Sequence, residues 1–165
     1  GAKLITHFSN GMPKPTVGAT TIAEASLAEK RIPLEMILDG IHVSEEILKE
    51  VLASGDERTI LITDSMSAAG GADGSYSIGS LEVVVVDGVA RLTSNQKLAG
   101  STLTISQAFV NLINHCGISL PQAVHATSMQ PAKVFGLKDR GNIAVGMRAD
   151  LLSYDSTNNS IATIN

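Results

Sequence analysis

The 165-residue chain carries a single cysteine, Cys116, so no internal disulfide framework can staple it. Cys116 closes the apolar stripe Leu112, Ile113, Cys116 of a helical pattern and reads as a packed side chain rather than a reactive thiol. Charge is scarce: Asp, Glu, Lys and Arg make up 17% of the residues, below the usual quarter, and the net charge of −4 gathers in no block of one sign. A chain so poor in clustered cations does not track a phosphate backbone, which argues against nucleic acid as a partner. Long hydrophobic runs are missing too. The run Val83-Val84-Val85-Val86 is far too short to span a bilayer, so no membrane contact is expected. The first residue is Gly1 rather than Met, so the lack of a visible targeting segment carries no weight. A cytoplasmic location is the default. HxH pairs, HExxH and cysteine clusters are also absent, so spacing alone builds no complete metal site.

What is present is apolar: 44% of the residues are hydrophobic, enough for one domain with a core or for pieces of two. The first part alternates strand and helix. Residues 3–6 read as a short strand ending at His7, and residues 20–30 have helical composition. Residues 34–38 form an apolar run leading into Asp39-Gly40-Ile41-His42. Ser44 can cap a helix whose stripe is Ile47, Leu48, Val51 and Leu52. Residues 59–63 are a buried-type strand, and Asp64 follows at once. Strand–helix units in series imply a parallel sheet with right-handed crossovers.

The pattern then changes. Two apolar runs, 81–86 and 89–92, flank Asp87-Gly88, a strong two-residue hairpin signal. Residues 102–115 return to a helical stripe, and Ser119, Pro121 and Gln122 have the spacing of a capped helix start. Pro131 is expected to break or restart that helix, and Gly136 to end it. Residues 141–155 read as β again, with Ile143 and Val145 as apolar positions and a turn at Gly146. The β segments on either side of the helices are expected to share one small sandwich. The division expected is 1–74, barrel-type units; 75–96, a β hairpin, either inserted or sandwich-like; 97–138, a helical segment; and 139–165, partial sandwich strands.

His7, His42 and Asp64 all fall at or just beyond the C-terminal end of a strand. That is where catalytic residues gather in a parallel barrel. Any one of them alone is an ordinary loop residue; three at one topological position are not. An imidazole suits a divalent metal, and a metal brings bound water to a neutral pKa. A carboxylate beside that water can take its proton and return it to a leaving amine. On these grounds His7 is a candidate ligand, Asp64 a candidate acid/base and His42 a candidate substrate contact. Asn10 and the backbone at Gly11 are placed to hold polar substrate groups.

Four segments then carry a resemblance: Thr6-His7-Phe8-Ser9-Asn10-Gly11-Met12, Asp39-Gly40-Ile41-His42-Val43, Thr63-Asp64-Ser65-Met66-Ser67-Ala68-Ala69-Gly70 and Leu98-Ala99-Gly100-Ser101-Thr102-Leu103-Thr104. In order and spacing they resemble the N-acetylglucosamine-6-phosphate deacetylase family. The tail, with Pro131-Ala132-Lys133-Val134-Phe135-Gly136 and Ala149-Asp150-Leu151, resembles the wider amidohydrolase superfamily. The resemblance implies an α/β fold: the C-terminal part of a metal-dependent TIM-type β/α barrel, units six to eight, with pieces of a small β-sandwich. A complete barrel needs about 250 residues, so the first five units and their ligands are expected outside this chain.

The implied reaction is hydrolysis of the N-acetyl amide of N-acetylglucosamine 6-phosphate to glucosamine 6-phosphate and acetate. The implied cofactor is a divalent metal, zinc first, with iron, manganese or cobalt as alternatives. His7 matches the metal ligand, Asp64 the catalytic aspartate and His42 the substrate histidine. Asn10 and Gly11 match phosphate-binding positions, and Leu98, Ala99 and Gly100 the segment lining the substrate pocket. The family's phosphate-binding arginine loop has no counterpart; Lys14 is the cation at that point. The family also implies a homodimer. The isolated chain is expected to be inactive. Two alternatives stand beside this reading: a deacetylase of another N-acetyl compound or another amidohydrolase, and a non-catalytic fragment that packs against a partner.

Overall fold

Two short apolar segments build the centre of the molecule. In the computed structural model, which describes residues 1–13, 19–53 and 57–164, β1 (Leu34–Ile37) and β2 (Thr59–Ile62) pair in parallel, Leu34 opposite Thr59 and Ile37 opposite Ile62. Leu34, Met36, Ile37, Ile60 and Leu61 are all buried, as expected for strands covered on both faces. The expected strand over residues 3–6 is reduced to one bridge residue: Ile5 lies parallel to Leu34, taking a hydrogen bond from Glu35 N–H and giving one to the Pro33 carbonyl, both 2.9 Å. The spatial order is therefore Ile5, β1, β2, all running the same way. The parallel α/β reading holds for this part; the closed barrel is not itself contained in these residues. Lys14 lies outside the described residues.

The helices return across this sheet. Helix α1 (Ile22–Ala28) starts at Thr21, whose hydroxyl accepts from Glu24 N–H at 3.2 Å while the Glu24 carboxylate accepts from Thr21 N–H at 2.8 Å. Its other end is held by a cation. Arg58, only 5% exposed, donates to the carbonyls of Ser26, Leu27, Glu29 and Ile32. A helix C-terminus leaves such carbonyls unpaired and partially negative, so a guanidinium with several donors fits there. Helix α2 (Glu45–Ala53) turns Leu48 and Val51 into the core, and Ser44 sits at its start as expected.

Helix α3 (Ile105–Cys116) is capped by Thr104 and ended by left-handed Gly117, and buries Ala108, Phe109 and Leu112. Next, α4 (Leu120–Val124) and α5 (Gln130–Val134) are joined by a π-turn, His125–Met129. Gln122 Oε1 accepts from Ser119 N–H at 3.1 Å, the back-reaching half of the expected cap. Pro131 stands in the first turn of α5, so of the two expected outcomes the helix restarts there rather than breaking. It has no N–H to give to the preceding turn, and the widened π-turn just before it lets the backbone continue.

The expected hairpin is a three-stranded antiparallel meander: β3 (Gly74–Ile78), β4 (Leu81–Val86) and β5 (Val89–Leu92). Asp87 and Gly88, with φ of 50° and 73°, form its tight turn. Ala68, Val83, Val85, Ala90 and Ala99 give the meander its own small core. A second hairpin, β6 (Leu151–Asp155) with β7 (Ser160–Ile164), packs Tyr154 and Ile161 on the main core instead. Tyr154 meets Phe109 of α3 edge to face, ring centroids 5.2 Å apart. The two antiparallel sheets are thus separate and rest on different clusters. Residues 141–149 contain no strand, and Ile143 and Val145 stand in solvent, 85% and 108% exposed. Their apolarity had suggested a buried strand; among the described residues nothing covers them.

Candidate active site

Because Ile5, β1 and β2 are parallel, their C-terminal ends share one edge, and the three candidate side chains leave from it. His7 follows Ile5 by two positions, His42 follows β1 through a short loop, and Asp64 follows β2 by two.

The His7 turn is tight. Asn10 N–H donates to the His7 carbonyl at 2.9 Å, and His7, Ser9 and Gly11 all have positive φ, 31°, 73° and 65°. Such backbone is costly for His and Ser and persists only when its surroundings hold it. Buried Phe8 supplies that hold, with its N–H on the Glu35 carbonyl at 2.6 Å. His7 Nδ1 is buried without a hydrogen-bond partner. A buried ring nitrogen in that state calls for a partner, and in the tautomer that leaves it a lone pair a metal ion fits it. The described residues contain no group of three His, Cys, Asp or Glu side chains placed to hold a metal, so they offer at most part of a site.

His42 is the more enclosed imidazole, its side chain 2% exposed. Its Nδ1 lies 2.6 Å from Asp39 Oδ2, and Asp39 Oδ1 accepts from the N–H groups of Ile41 and His42, both at 2.9 Å. Burial pushes the Asp39 carboxyl up, but the hydrogen bonds from the His42 ring and the two N–H groups outweigh it and hold Asp39 below its ordinary value. His42 Nε2 is buried and unpartnered. From α3, Asn111 donates to the Leu38 carbonyl at 2.6 Å and accepts from Gln107 at 2.8 Å, fixing the strand end from which Asp39 departs.

Asp64 is exposed and adopts φ 48°. Its carbonyl accepts from Ser101 N–H at 2.8 Å, and the Ser101 carbonyl accepts from Met66 N–H at 2.9 Å. The Ser101 hydroxyl donates to the Thr63 carbonyl. The segment Leu98, Ala99, Gly100 is therefore strapped beside Asp64: Ala99 is packed in the meander core, and a Cβ on Gly100 would lie 3.0 Å from the Asp64 carbonyl oxygen. A cleft of about 430 Å³ opens near this edge, lined by Asp39, Gly70, Asp87, Thr102, Gln107 and Asn111. A smaller one, about 240 Å³, lies at the opposite end of β2 by Glu57, Thr59 and His125, away from the candidate residues.

The structure thus brings Asp64 and Gly100 together, and Asn10 and Gly11 into the His7 turn. It adds Asp39, Ser101 and Asn111. Asp39 had a readable signal, a carboxylate three residues before a histidine; Ser101 lies in one of the four resembling segments, though its contacts, like those of Asn111, reach residues distant in sequence and left no trace there.

Known proteins resemble this chain in sequence and in fold. An N-acetylgalactosamine-6-phosphate deacetylase of Escherichia coli O157:H7 is 36% identical over 157 residues, covering 94% of this chain and 41% of that protein. A putative N-acetylgalactosamine-6-phosphate deacetylase of Escherichia coli strain K12 is also 36% identical, over 91% of this chain and 90% of its own shorter length. The crystal structure of N-acetylglucosamine-6-phosphate deacetylase from Thermotoga maritima superposes with a TM-score of 0.89 at 40% identity, covering 99% of this chain and 45% of that one. The chain therefore spans less than half the length of the first and third of these. The family model described as the amidohydrolase family matches residues 5–165, and to that family the chain belongs.

Proposed function

We propose that the chain supplies part of the active site of a sugar-phosphate N-deacetylase, which cleaves the N-acetyl amide of N-acetylglucosamine 6-phosphate into glucosamine 6-phosphate and acetate. One observation carries the reading: two buried, unpartnered imidazole nitrogens and a carboxylate-bearing residue stand at the same edge of a parallel sheet. Members of the amidohydrolase family generally depend on a divalent metal. Zinc is the first choice, with iron, manganese or cobalt as alternatives. When bound, such an ion polarises the amide carbonyl and lowers the pKa of water.

The chain's own residues do the rest. His7 Nδ1 offers a lone pair to the ion. Asp64, exposed at the strand end, takes a proton from the attacking water and gives one to the departing sugar amine. His42 contacts the sugar. Asn10 and the Gly11 main chain, in the turn after His7, hold the phosphate, and Leu98, Ala99 and Gly100 wall the pocket beside Asp64. The intact protein acts in the cytoplasm as a homodimer. Among the described residues no helix is long and apolar enough to cross a membrane.

A second reading concerns the sugar. Two relatives at 36% identity are named for N-acetylgalactosamine 6-phosphate, which differs in the configuration at C4. Acetate release by the intact protein from both 6-phosphates, and from the unphosphorylated sugars, tests both readings. A preference for the gluco substrate supports the first, a preference for the galacto substrate the second, and turnover of neither overturns the proposal.

A further inference from the structure

Asp39 is used by no step above, yet it is bonded through both oxygens. Oδ1 takes the N–H groups of Ile41 and His42, which fixes the loop backbone. Oδ2 faces His42 Nδ1 at 2.6 Å. A carboxylate is an acceptor only, so the proton of that bond sits on the imidazole. The remaining nitrogen, Nε2, is buried with no partner. A protonated Nε2 there would be a buried donor, on a cationic ring, with nothing to receive it; a bare lone pair leaves the ring neutral and costs less.

We propose that Asp39 is a positioning residue that locks His42 in the Nδ1–H tautomer and so makes Nε2 a hydrogen-bond acceptor for the ligand. The group it receives is then an O–H or N–H donor of a neutral moiety, such as a sugar hydroxyl or the amide N–H, and not a phosphate oxygen. This deepens the deacetylase reading and rests on it for the identity of the ligand, but not for the tautomer. Asn111 supports the arrangement by tying the Leu38 carbonyl, one residue before Asp39, to α3.

The test is imidazole ¹⁵N–¹H correlation spectroscopy on the histidine-labelled intact protein at neutral pH, with His42 assigned by its loss in His42→Gln. The expected pattern is a protonated Nδ1 and a bare, far-downfield Nε2. Asp39→Asn keeps Oδ1 for the backbone but turns an NH₂ donor toward Nδ1, so the proton should move to Nε2. In that variant kcat/KM should fall about 10–100-fold, mainly through KM, as for groups that orient a functional histidine. An Nε2–H or doubly protonated ring in the unmodified protein overturns the proposal, and so does an unchanged tautomer in Asp39→Asn. Should Asp39→Asn not fold, the spectrum of the unmodified protein decides alone. The expected tautomer in a protein that deacetylates neither sugar phosphate would uphold the inference and sink the function instead.

Discussion

The main-chain N–H of Ser101 lies 2.8 Å from the carbonyl oxygen of Asp64, and the Ser101 hydroxyl bonds the carbonyl of the residue before it. The proposed acid/base is thereby held at its backbone by a segment that arrives after the whole β3–β5 meander. Gly100 makes the close approach possible, with φ of 63° and no Cβ to meet Asp64. Gly100→Ala should destabilise the fold by about 1–3 kcal/mol through left-handed strain and that contact. It should also depress kcat by displacing Asp64. Urea unfolding alongside acetate assays checks both effects, and an unaltered kcat would separate the strap from catalysis.

Asp64→Asn should leave the urea midpoint nearly unchanged, because the carboxylate is exposed and the strap uses main-chain atoms. Acetate release by the intact protein should drop about 10²–10⁴-fold, the usual worth of general acid–base assistance. Turnover within a few-fold of normal would remove Asp64 from the mechanism.

His7→Ala and His42→Ala should part company. The first should lower bound metal measured by elemental analysis, since three protein ligands is the common minimum for a catalytic zinc and each counts. The second should keep its metal and raise KM. Equal metal loss in both variants would contradict the separate roles.

Arg58→Ala should take the guanidinium donors from the carbonyls of Ser26, Leu27, Glu29 and Ile32 in a buried to half-buried place. A loss of more than about 2 kcal/mol is expected, and Arg58→Lys should rescue only part of it because one ammonium cannot reach all four. Denaturant titration of the three proteins decides the point; a full rescue by Lys would show that charge alone matters there.

The acid limb of stability should carry a contribution from Asp39. Its folded pKa is held below the ordinary value, so the folded state binds fewer protons than the unfolded one in that range. The stabilisation is present above the unfolded pKa, about 3.9, and disappears as pH falls through the lower folded value. Asp39→Asn should therefore flatten the loss of stability below about pH 4 in a pH series of thermal unfolding. An unchanged slope would mean that other carboxylates dominate.

Local chemistry made much of this architecture readable in advance. Asp87-Gly88 can form one kind of tight turn, and it does; the stripe Ala108, Phe109, Leu112 faces the core as its spacing requires. The Thr21–Glu24 cap is equally local, a threonine followed three residues later by a glutamate. The rest was hidden for two physical reasons. Contacts that join distant segments, such as Arg58 to α1 or Asn111 to Leu38, leave no periodic trace. Apolarity reports a wish for burial but not its fulfilment, which is why Ile143 and Val145 suggested a strand and stand in solvent. The strand-end positions of His7, His42 and Asp64 were legible, and so was a carboxylate three residues before His42, while the direction in which the loop folds Asp39 onto that ring was not.

The meander and the C-terminal hairpin each contain one tyrosine, Tyr76 on β3 and Tyr154 on β6, and the chain has no other tyrosine and no tryptophan. Tyr76 hydroxyl bonds the Ala72 carbonyl, and Tyr154 hydroxyl bonds Asn159 while its ring meets Phe109. The parallel strands at the centre are consequently dark to near-ultraviolet light. Intrinsic emission from this polypeptide is therefore a tyrosine signal from its antiparallel sheets, Tyr76 reporting on the meander and Tyr154 on the seam where the C-terminal hairpin meets α3.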